Sequence, residues 1–238
     1  MLRLRLVTLV IAALACPPAG AVLIDFESIP GGTPAEGLVV SNQYQAAYGV
    51  TFSLESGGLP QLARAGLDLS AFGGPPDNAP NTPAAGQGVG SFFLTDDGVI
   101  DAPPSALVIA FDAPVAQASV RVLDIDGWQG GAIWEGFFVE ARDGLGAVLE
   151  TRALRYLDPG TGDGVASLFA FDLGQPEIRS LRIAFDPSST KTSGIGFAVD
   201  DLFFAIPEPG TGALLALGIA ALAAPRRRTR PERDAAPG

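Results

Sequence analysis

The sequence predicts an all-β fold, a two-sheet antiparallel β-sandwich of the jelly-roll type over residues 22–206, flanked by an N-terminal signal helix and a C-terminal transmembrane helix. Short runs of alternating apolar and polar residues recur along the chain, and a period of two is that of a half-buried strand. Clusters of glycine, proline and aspartate separate these runs. Since no amphipathic helix of convincing length lies between the two ends, the pattern favours a sandwich or jelly roll.

The alternation locates nine or ten strands. It is clearest where Leu181, Ile183 and Phe185 alternate with polar or small residues. A turn with two glycines at residues 143–146 predicts a hairpin, because glycine adopts positive φ at little cost. The longest loop, residues 72–87, is predicted to lie on the surface. The predicted strands are residues 22–26, 49–53, 88–94, 106–111, 118–123, 137–142, 147–152, 165–171, 180–185 and 197–205.

The N-terminus has the three parts of a secretory signal peptide. Two arginines precede an apolar stretch at residues 6–15, and residues 19–21 form a small-x-small cleavage site. We therefore predict a signal peptide at residues 1–21. A lipoprotein signal at Cys16 is the alternative interpretation of the same segment.

The C-terminus also has three ordered parts. An uncharged apolar run at residues 211–224 follows a rigid polar segment and precedes a cluster of arginines. The run is shorter than the ~20 residues of a usual spanning helix, but the arginines fit the cytoplasmic end of one. We predict a transmembrane helix here, with a buried core helix as the alternative and a disordered tail at residues 231–238. The flanking motif residues are Pro207, Glu208, Pro209, Arg226, Arg227 and Arg228.

This tail, on a chain with a signal peptide, resembles the PEP-CTERM sorting signal of Gram-negative bacteria over residues 207–230. The resemblance implies that an exosortase, a membrane cysteine transpeptidase, recognises the Pro-Glu-Pro triplet and processes the tail. It also implies an exported protein that passes the inner membrane during sorting and ends at the cell surface or outside the cell. Such proteins are frequent in organisms that make extracellular polysaccharide.

Composition excludes several kinds of chemistry. Residues 22–206 contain eight basic and 23 acidic residues, a net charge near −15, which disfavours nucleic acid as a partner. The chain has no histidine, and its one cysteine lies in the predicted signal peptide. The mature domain therefore has no disulfide, no Ser–His–Asp or Cys–His nucleophile and no His/Cys zinc site. Sites built from oxygen ligands, such as those for calcium, stay open.

A second resemblance concerns the first and last strands. Residues 24–27 resemble the opening of many exported PEP-CTERM β-domains, and residues 196–202 resemble the closing strand of galactose-binding-like jelly rolls, which include several carbohydrate-binding modules. In those modules acidic residues of both strands share a structural calcium ion, which implies Glu27, Asp200 and Asp201 as ligands here. A jelly roll also brings its first and last strands together, while strand alternation places residues 200 and 201 on opposite faces. Solvated carboxylates at strand ends are the alternative.

Two further acidic loops resemble calcium loops in part. In the first loop, Asp124 and Asp126 match the first two ligand positions of a calcium loop, and Glu135 matches its last acidic position. The pattern fails between them, because Trp128 stands at a ligand position and Gln129 stands where the loop needs glycine. The first loop is therefore interpreted as a turn after the strand at residues 118–123. A second loop, residues 158–164, is interpreted as a polar hairpin loop, with calcium as the minor option.

Trp128 and Trp134 are the only tryptophans and lie in or beside a glycine-rich loop, residues 127–131. Exposed aromatic rings at this place predict a platform for stacking sugar rings, as in carbohydrate-binding modules. The alternative is that one or both cap the hydrophobic core, which is the commoner use of tryptophan.

Together these features predict a non-catalytic exported protein of the cell surface or extracellular matrix, associated with exopolysaccharide and stiffened by structural calcium. The first alternative is a carbohydrate-binding module for extracellular polysaccharide. The second is a glycan hydrolase or lyase that uses a carboxylate pair, with Glu135 and Glu140 or Asp124 and Asp126 as the candidates. No catalytic residue is assigned.

Overall fold

The computed structural model describes residues 20–67, 71–72, 81–96, 103–192 and 194–206. Most of the predicted signal peptide and the whole sorting tail, with the predicted helix at residues 211–224, lie outside these ranges. The elements are β1 Gly20–Ile24, α1 Gln45–Tyr48, β2 Val50–Leu54, β3 Gln61–Arg64, β4 Phe92–Thr95, β5 Leu107–Val115, β6 Gln117–Leu123, β7 Gly127–Trp128, a 3-10 turn Gln129–Gly131, β8 Ile133–Trp134, β9 Gly136–Arg142, β10 Val148–Arg155, β11 Ala166–Asp172, β12 Ile178–Phe185 and β13 Ala198–Ile206.

Two antiparallel sheets make up the fold. Sheet I has the order β11-β6-β13-β4-β3, with β1 also paired to β13, and sheet II has the order β10-β9-β12-β5-β2. A short ribbon of β7 and β8 stands apart from both sheets. The predicted all-β class is therefore confirmed, whereas the jelly-roll topology stays a prediction. No helix in the described ranges is long and apolar enough to cross a bilayer.

The larger of the two hydrophobic clusters among the described residues lies between the two sheets. Phe111 of β5 and Phe204 of β13 meet across it with ring centroids 5.0 Å apart. Phe137 of β9 stacks on Phe197, just before β13, at 5.7 Å. These aromatic contacts join sheet II to sheet I, as in a β-sandwich. Each fully buried ring of this kind stabilises the fold by roughly 1.5–3 kcal/mol through loss of apolar surface from water.

The first and last strands are neighbours, as predicted. In the antiparallel pairing of β1 with β13, Gly20 lies opposite Ile206 and Ile24 opposite Leu202. A β-bulge interrupts the pairing of β13 with β6 between residues 200 and 203, and Asp201 has a φ of 49°. The predicted placement of residues 200 and 201 on opposite faces is therefore wrong, since the extra residue breaks the alternation of a regular strand.

The predicted hairpin at residues 143–146 is confirmed as the turn between β9 and β10. The Asp143 side chain shapes this turn, because its Oδ1 accepts hydrogen bonds from the backbone N–H groups of Leu145 and Ala147, both at 2.8 Å. Gly146 has a φ of 81°, a conformation that favours glycine.

The ribbon of β7 and β8 links the two sheets through the chain. It follows β6, which belongs to sheet I, and precedes β9, which belongs to sheet II. The start of β11 lies beside the end of β6, with Ala166 opposite Leu123. The segment that leaves β6 for the ribbon therefore lies beside the segment that enters β11.

Candidate functional site

The ribbon is a tight two-stranded turn, which we call the tryptophan hairpin (residues 127–134). Gly127 pairs with Trp134 and Trp128 pairs with Ile133. Gly130 turns the chain between the two strands with a φ of 64°, which glycine adopts without strain. In the sequence, the hairpin and its two tryptophans stand between Asp126 and Glu135.

An acidic cluster lies next to this hairpin. One carboxylate oxygen from each of Asp124, Asp126 and Asp163 lies within 4.8 Å of the other two. The pairing of β6 with β11 brings them together, since Asp124 N–H donates to Val165 O at 3.1 Å. Asp124 Oδ1 in turn accepts a hydrogen bond of 2.8 Å from the Gly164 N–H.

Glu135 completes this cluster at the other end of the hairpin. It is fully buried, and its N–H donates to Asp126 O at 3.0 Å. We call Asp124, Asp126, Asp163 and Glu135 the acidic cluster. The two partial calcium-loop patterns of the sequence therefore converge at one place, although neither forms the complete frame.

Lys191 supplies a positive charge to the cluster. Its side chain is almost completely buried, and Nζ contacts Asp126 Oδ1 and lies 3.1 Å from Glu135 Oε2. The backbone N–H of Lys191 also donates to Trp134 O at 2.9 Å. The Trp128 ring covers Nζ with its centroid 6.0 Å away, a cation–π distance. This lysine, the only one in the chain, ties the hairpin to the cluster.

The electrostatics of the cluster are dominated by burial. Burial and the neighbouring Asp126 carboxylate raise the pKa of Asp124 to about 7. Burial also raises the pKa of Glu135 well above its usual range, against the opposing effect of Lys191. Burial lowers the pKa of Lys191, but the facing carboxylates outweigh it and the net direction is up. One ammonium therefore faces four carboxyl groups that it cannot all neutralise.

A cavity of about 270 Å³ is lined in part by the hairpin. The Arg155 guanidinium lies over the Trp134 ring, 5.9 Å from its centroid. Aromatic rings beside a few polar groups are the usual lining of small-molecule sites. The lining residues are Gly130, Gly131, Trp134, Arg155, Tyr156, Leu157 and Asp158.

The two predicted sugar-binding residues have different surroundings. Trp134 is half-buried and lines the cavity. Trp128 is 42% exposed and covers Lys191 instead. Their role in sugar binding stays a prediction. Trp134 is the candidate ligand contact, whereas Trp128 covers the lysine of the acidic cluster.

The predicted metal ligands lie elsewhere, at the start of β4. Glu27 Oε1 accepts a hydrogen bond of 2.7 Å from the Phe92 N–H. Asp200 Oδ2 accepts one of 3.1 Å from the Gly90 N–H, and burial raises the pKa of Asp200 to about 7. Asp201 Oδ2 lies 3.3 Å from Arg121 Nε in an ion pair. Backbone donors and an arginine therefore contact these three carboxylates, and their calcium site stays a prediction.

Glu135 and Glu140 are also a predicted candidate pair for carboxylate-based glycan cleavage. Glu140 forms an ion pair with Arg142, and Arg182 Nη1 lies 3.6 Å from its Oε2. Glu135 belongs to the acidic cluster with Lys191. Each carboxylate thus has its own cationic partner.

Comparison with known protein families identifies a motif near the C-terminus. Residues 205–228 match the model of the PEP-CTERM protein-sorting motif. The chain carries this sorting motif. It contains the Pro-Glu-Pro triplet and the arginines Arg226, Arg227 and Arg228. The motif implies recognition by an exosortase, and so an exported protein that is processed at the membrane. Its first two residues, Ala205 and Ile206, are the last of β13.

The remaining comparisons add little. No curated protein matches the chain. A solved structure, the enzymatically active domain of bacteriophage CBA120 tailspike protein 4, aligns at 12% identity with a TM-score of 0.31, over 70% of this chain and 20% of the tailspike chain. The chain thus corresponds to about a fifth of that protein, and so low a TM-score supports no inference about fold or activity.

Proposed function

We propose that this exosortase-sorted protein is a non-catalytic component of the cell surface or extracellular matrix that binds polysaccharide in the cavity beside Trp134. The observation that carries the proposal is the cavity lining, which combines Trp134 and Tyr156 with the polar side chains of Arg155 and Asp158. Aromatic rings offer flat apolar surfaces to the C–H faces of sugar rings, while the polar groups bind hydroxyls.

The size of the cavity favours a short stretch of glycan. Its volume of about 270 Å³ is just below the ~300–1,000 Å³ of usual ligand sites. A site of that size suits a sugar unit within a chain that continues into solvent. Arg155 adds a positive charge over the Trp134 ring, which favours polysaccharides that carry carboxylate groups.

The arrangement of carboxylates supports binding rather than hydrolysis. Glycoside hydrolysis normally uses two carboxyl groups on opposite sides of the scissile bond. Among the described residues that line the cavity, Asp158 is the one carboxylate, and its Oδ2 accepts a hydrogen bond of 2.9 Å from the Arg155 N–H. The cavity thus offers a binding surface without the acid–base pair.

We expect Trp134→Ala to abolish retention on polysaccharide affinity gels and to remove the quench of tryptophan fluorescence by glycan fragments. The reason is the loss of the one tryptophan that lines the cavity. The control is Leu168→Ala, at an exposed residue of β11 outside the cavity. Thermal unfolding checks that both variants fold. Equal retention of Trp134→Ala and wild type would exclude the cavity as the glycan site.

Sorting is tested separately, at the tail. Changing Pro207, Glu208 and Pro209 together to alanine should leave full-length protein in the membrane fraction, because the motif needed by the exosortase is lost. The wild-type protein should instead yield a species that ends near Pro207, measured by intact mass. Arg233→Ala, outside the matched range, is the control and should be processed normally. Truncation of the triple variant near residue 207, or full-length wild-type protein in every fraction, would contradict exosortase processing at this motif.

A further inference from the structure

We infer that Asp124, Asp126 and Asp163 bind one Ca²⁺ ion beside the tryptophan hairpin. This site is distinct from the calcium site predicted at Glu27 and β13, and it does not depend on glycan binding. The first observation is the convergence of three carboxylates from two loops that the pairing of β6 with β11 brings together.

The separation of the oxygens suits calcium. Ligand oxygens lie ~2.3–2.6 Å from Ca²⁺, so two ligands on opposite sides of one ion are about 5 Å apart. The three oxygens here lie within 4.8 Å of one another, which one such ion spans. Mg²⁺, with oxygens at ~2.0–2.1 Å, requires all pairs within about 4 Å and a near-octahedral arrangement. Mg²⁺ also gives up its waters reluctantly and is usually held by one or two carboxylates, so a site with three carboxylates favours calcium.

The second observation is a buried oxygen aimed at no donor. Asp124 is fully buried, and its Oδ2 has no N–H or hydroxyl donor among the described residues, whereas its Oδ1 accepts from the Gly164 N–H; the Asp163 carboxyl also interacts with this side chain. A buried acceptor without a partner is costly, and a cation supplies the missing interaction. Gly196 leaves space beside this oxygen, because a Cβ at residue 196 would lie 2.8 Å from Asp124 Oδ2.

The charge balance points the same way. Lys191 contacts Asp126 and Glu135, so its single positive charge lies at one side of the cluster. Asp124 and Asp163 interact at the other side. Like charges this close require either a proton or a cation between them. A divalent ion at the three aspartates together with Lys191 would neutralise most of the charge of the four carboxylates.

The ligand chemistry narrows the choice of ion. Carboxylate oxygens select calcium, magnesium or manganese rather than softer metals. The mature domain offers neither histidine nor cysteine. Export also takes the domain to compartments where calcium is available at concentrations that weaker extracellular sites require.

The inference is tested on the full chain by thermal unfolding in EDTA, in CaCl₂ and in MgCl₂. Saturating calcium should raise Tm by about 5–10 °C over the EDTA sample, and magnesium by less. Isothermal titration calorimetry should show one Ca²⁺ per chain. Asp163→Asn should weaken calcium binding at least tenfold and remove the Tm shift. Asp172→Asn, at the exposed far end of β11, should keep both.

Glu27→Gln separates this site from the one predicted near β13. Calcium binding at the acidic cluster requires that Glu27→Gln retains the Tm shift while Asp163→Asn loses it. The opposite pattern would overturn the inference and assign calcium to Glu27. No calcium shift in the wild-type protein would also overturn it, and would mean that protons shared between the carboxyl groups balance the charge.

Discussion

Replacing Lys191 by methionine should lower the free energy of unfolding by about 3–5 kcal/mol, the usual cost of removing one partner from a buried ion pair. Lys191 is 4% exposed and its Nζ lies 3.1 Å from Glu135 Oε2. Methionine keeps the apolar stem, so the variant tests the charge rather than the volume. Asp126 and Glu135 then face each other without a counter-charge in a part of the protein that excludes water.

Urea unfolding in EDTA measures this loss. The control is Arg152→Met, because the ion pair of Arg152 with Glu150 is exposed and should contribute less than about 1 kcal/mol. The double variant Glu135→Gln/Lys191→Met should recover part of the loss, since the buried charge is then removed together with its partner. If the two single methionine variants lost equal stability, Lys191 would not be holding the cluster together.

The loss should also depend on pH. Burial raises the pKa of Glu135, so between its unfolded and its folded pKa the folded protein binds a proton there that the unfolded chain has released. Stability from such a group is present at low pH and is lost as the pH rises towards the raised pKa. Lys191 lowers the pKa of Glu135. Removing Lys191 should therefore raise that pKa further and extend to higher pH the range over which stability is lost. The deficit of Lys191→Met should therefore be smaller at pH 5 than at pH 8.

Much of the fold could be predicted because its strands are long enough to show a period. The alternation in β12 and the turn at Asp143 are local features, and both agree with the structure. The strands of the tryptophan hairpin have two residues each, which is too short for any period. Their existence depends on the close approach of Gly127 to Ile133, which no local pattern reveals.

The site was harder to predict because it depends on distant pairing. Both acidic loops are visible in the sequence, but they meet only because Leu123 lies opposite Ala166. Lys191 lies in a loop after β12 and belongs to no periodic pattern. One signal was available: it is the single lysine of a strongly acidic chain. The bulge at Asp201 could not be foreseen either, since strand alternation assumes a regular register.

Gly127→Ala should disable both the cavity and the acidic cluster while the two sheets stay folded. A Cβ at this position would lie 2.2 Å from Ile133 O and 2.9 Å from Trp134 Cα. Both are backbone atoms of the opposing strand, so the hairpin must open rather than a side chain rotate. Overpacking of this kind costs about 1–3 kcal/mol. Because the hairpin forms a separate ribbon, the strain should be confined to it.

The matched control is Gly144→Ala, in the turn between β9 and β10, where a Cβ would meet only Arg179 Cγ and Nε at 3.6 Å and 3.9 Å. It should keep wild-type stability, glycan retention and calcium response. Gly127→Ala should lose retention because Trp134 moves, and lose the calcium shift because Asp126 and Glu135 flank the same hairpin. Far-ultraviolet circular dichroism should show the β-sheet signal unchanged. Loss of one property alone would mean that the hairpin does not hold both sites in place.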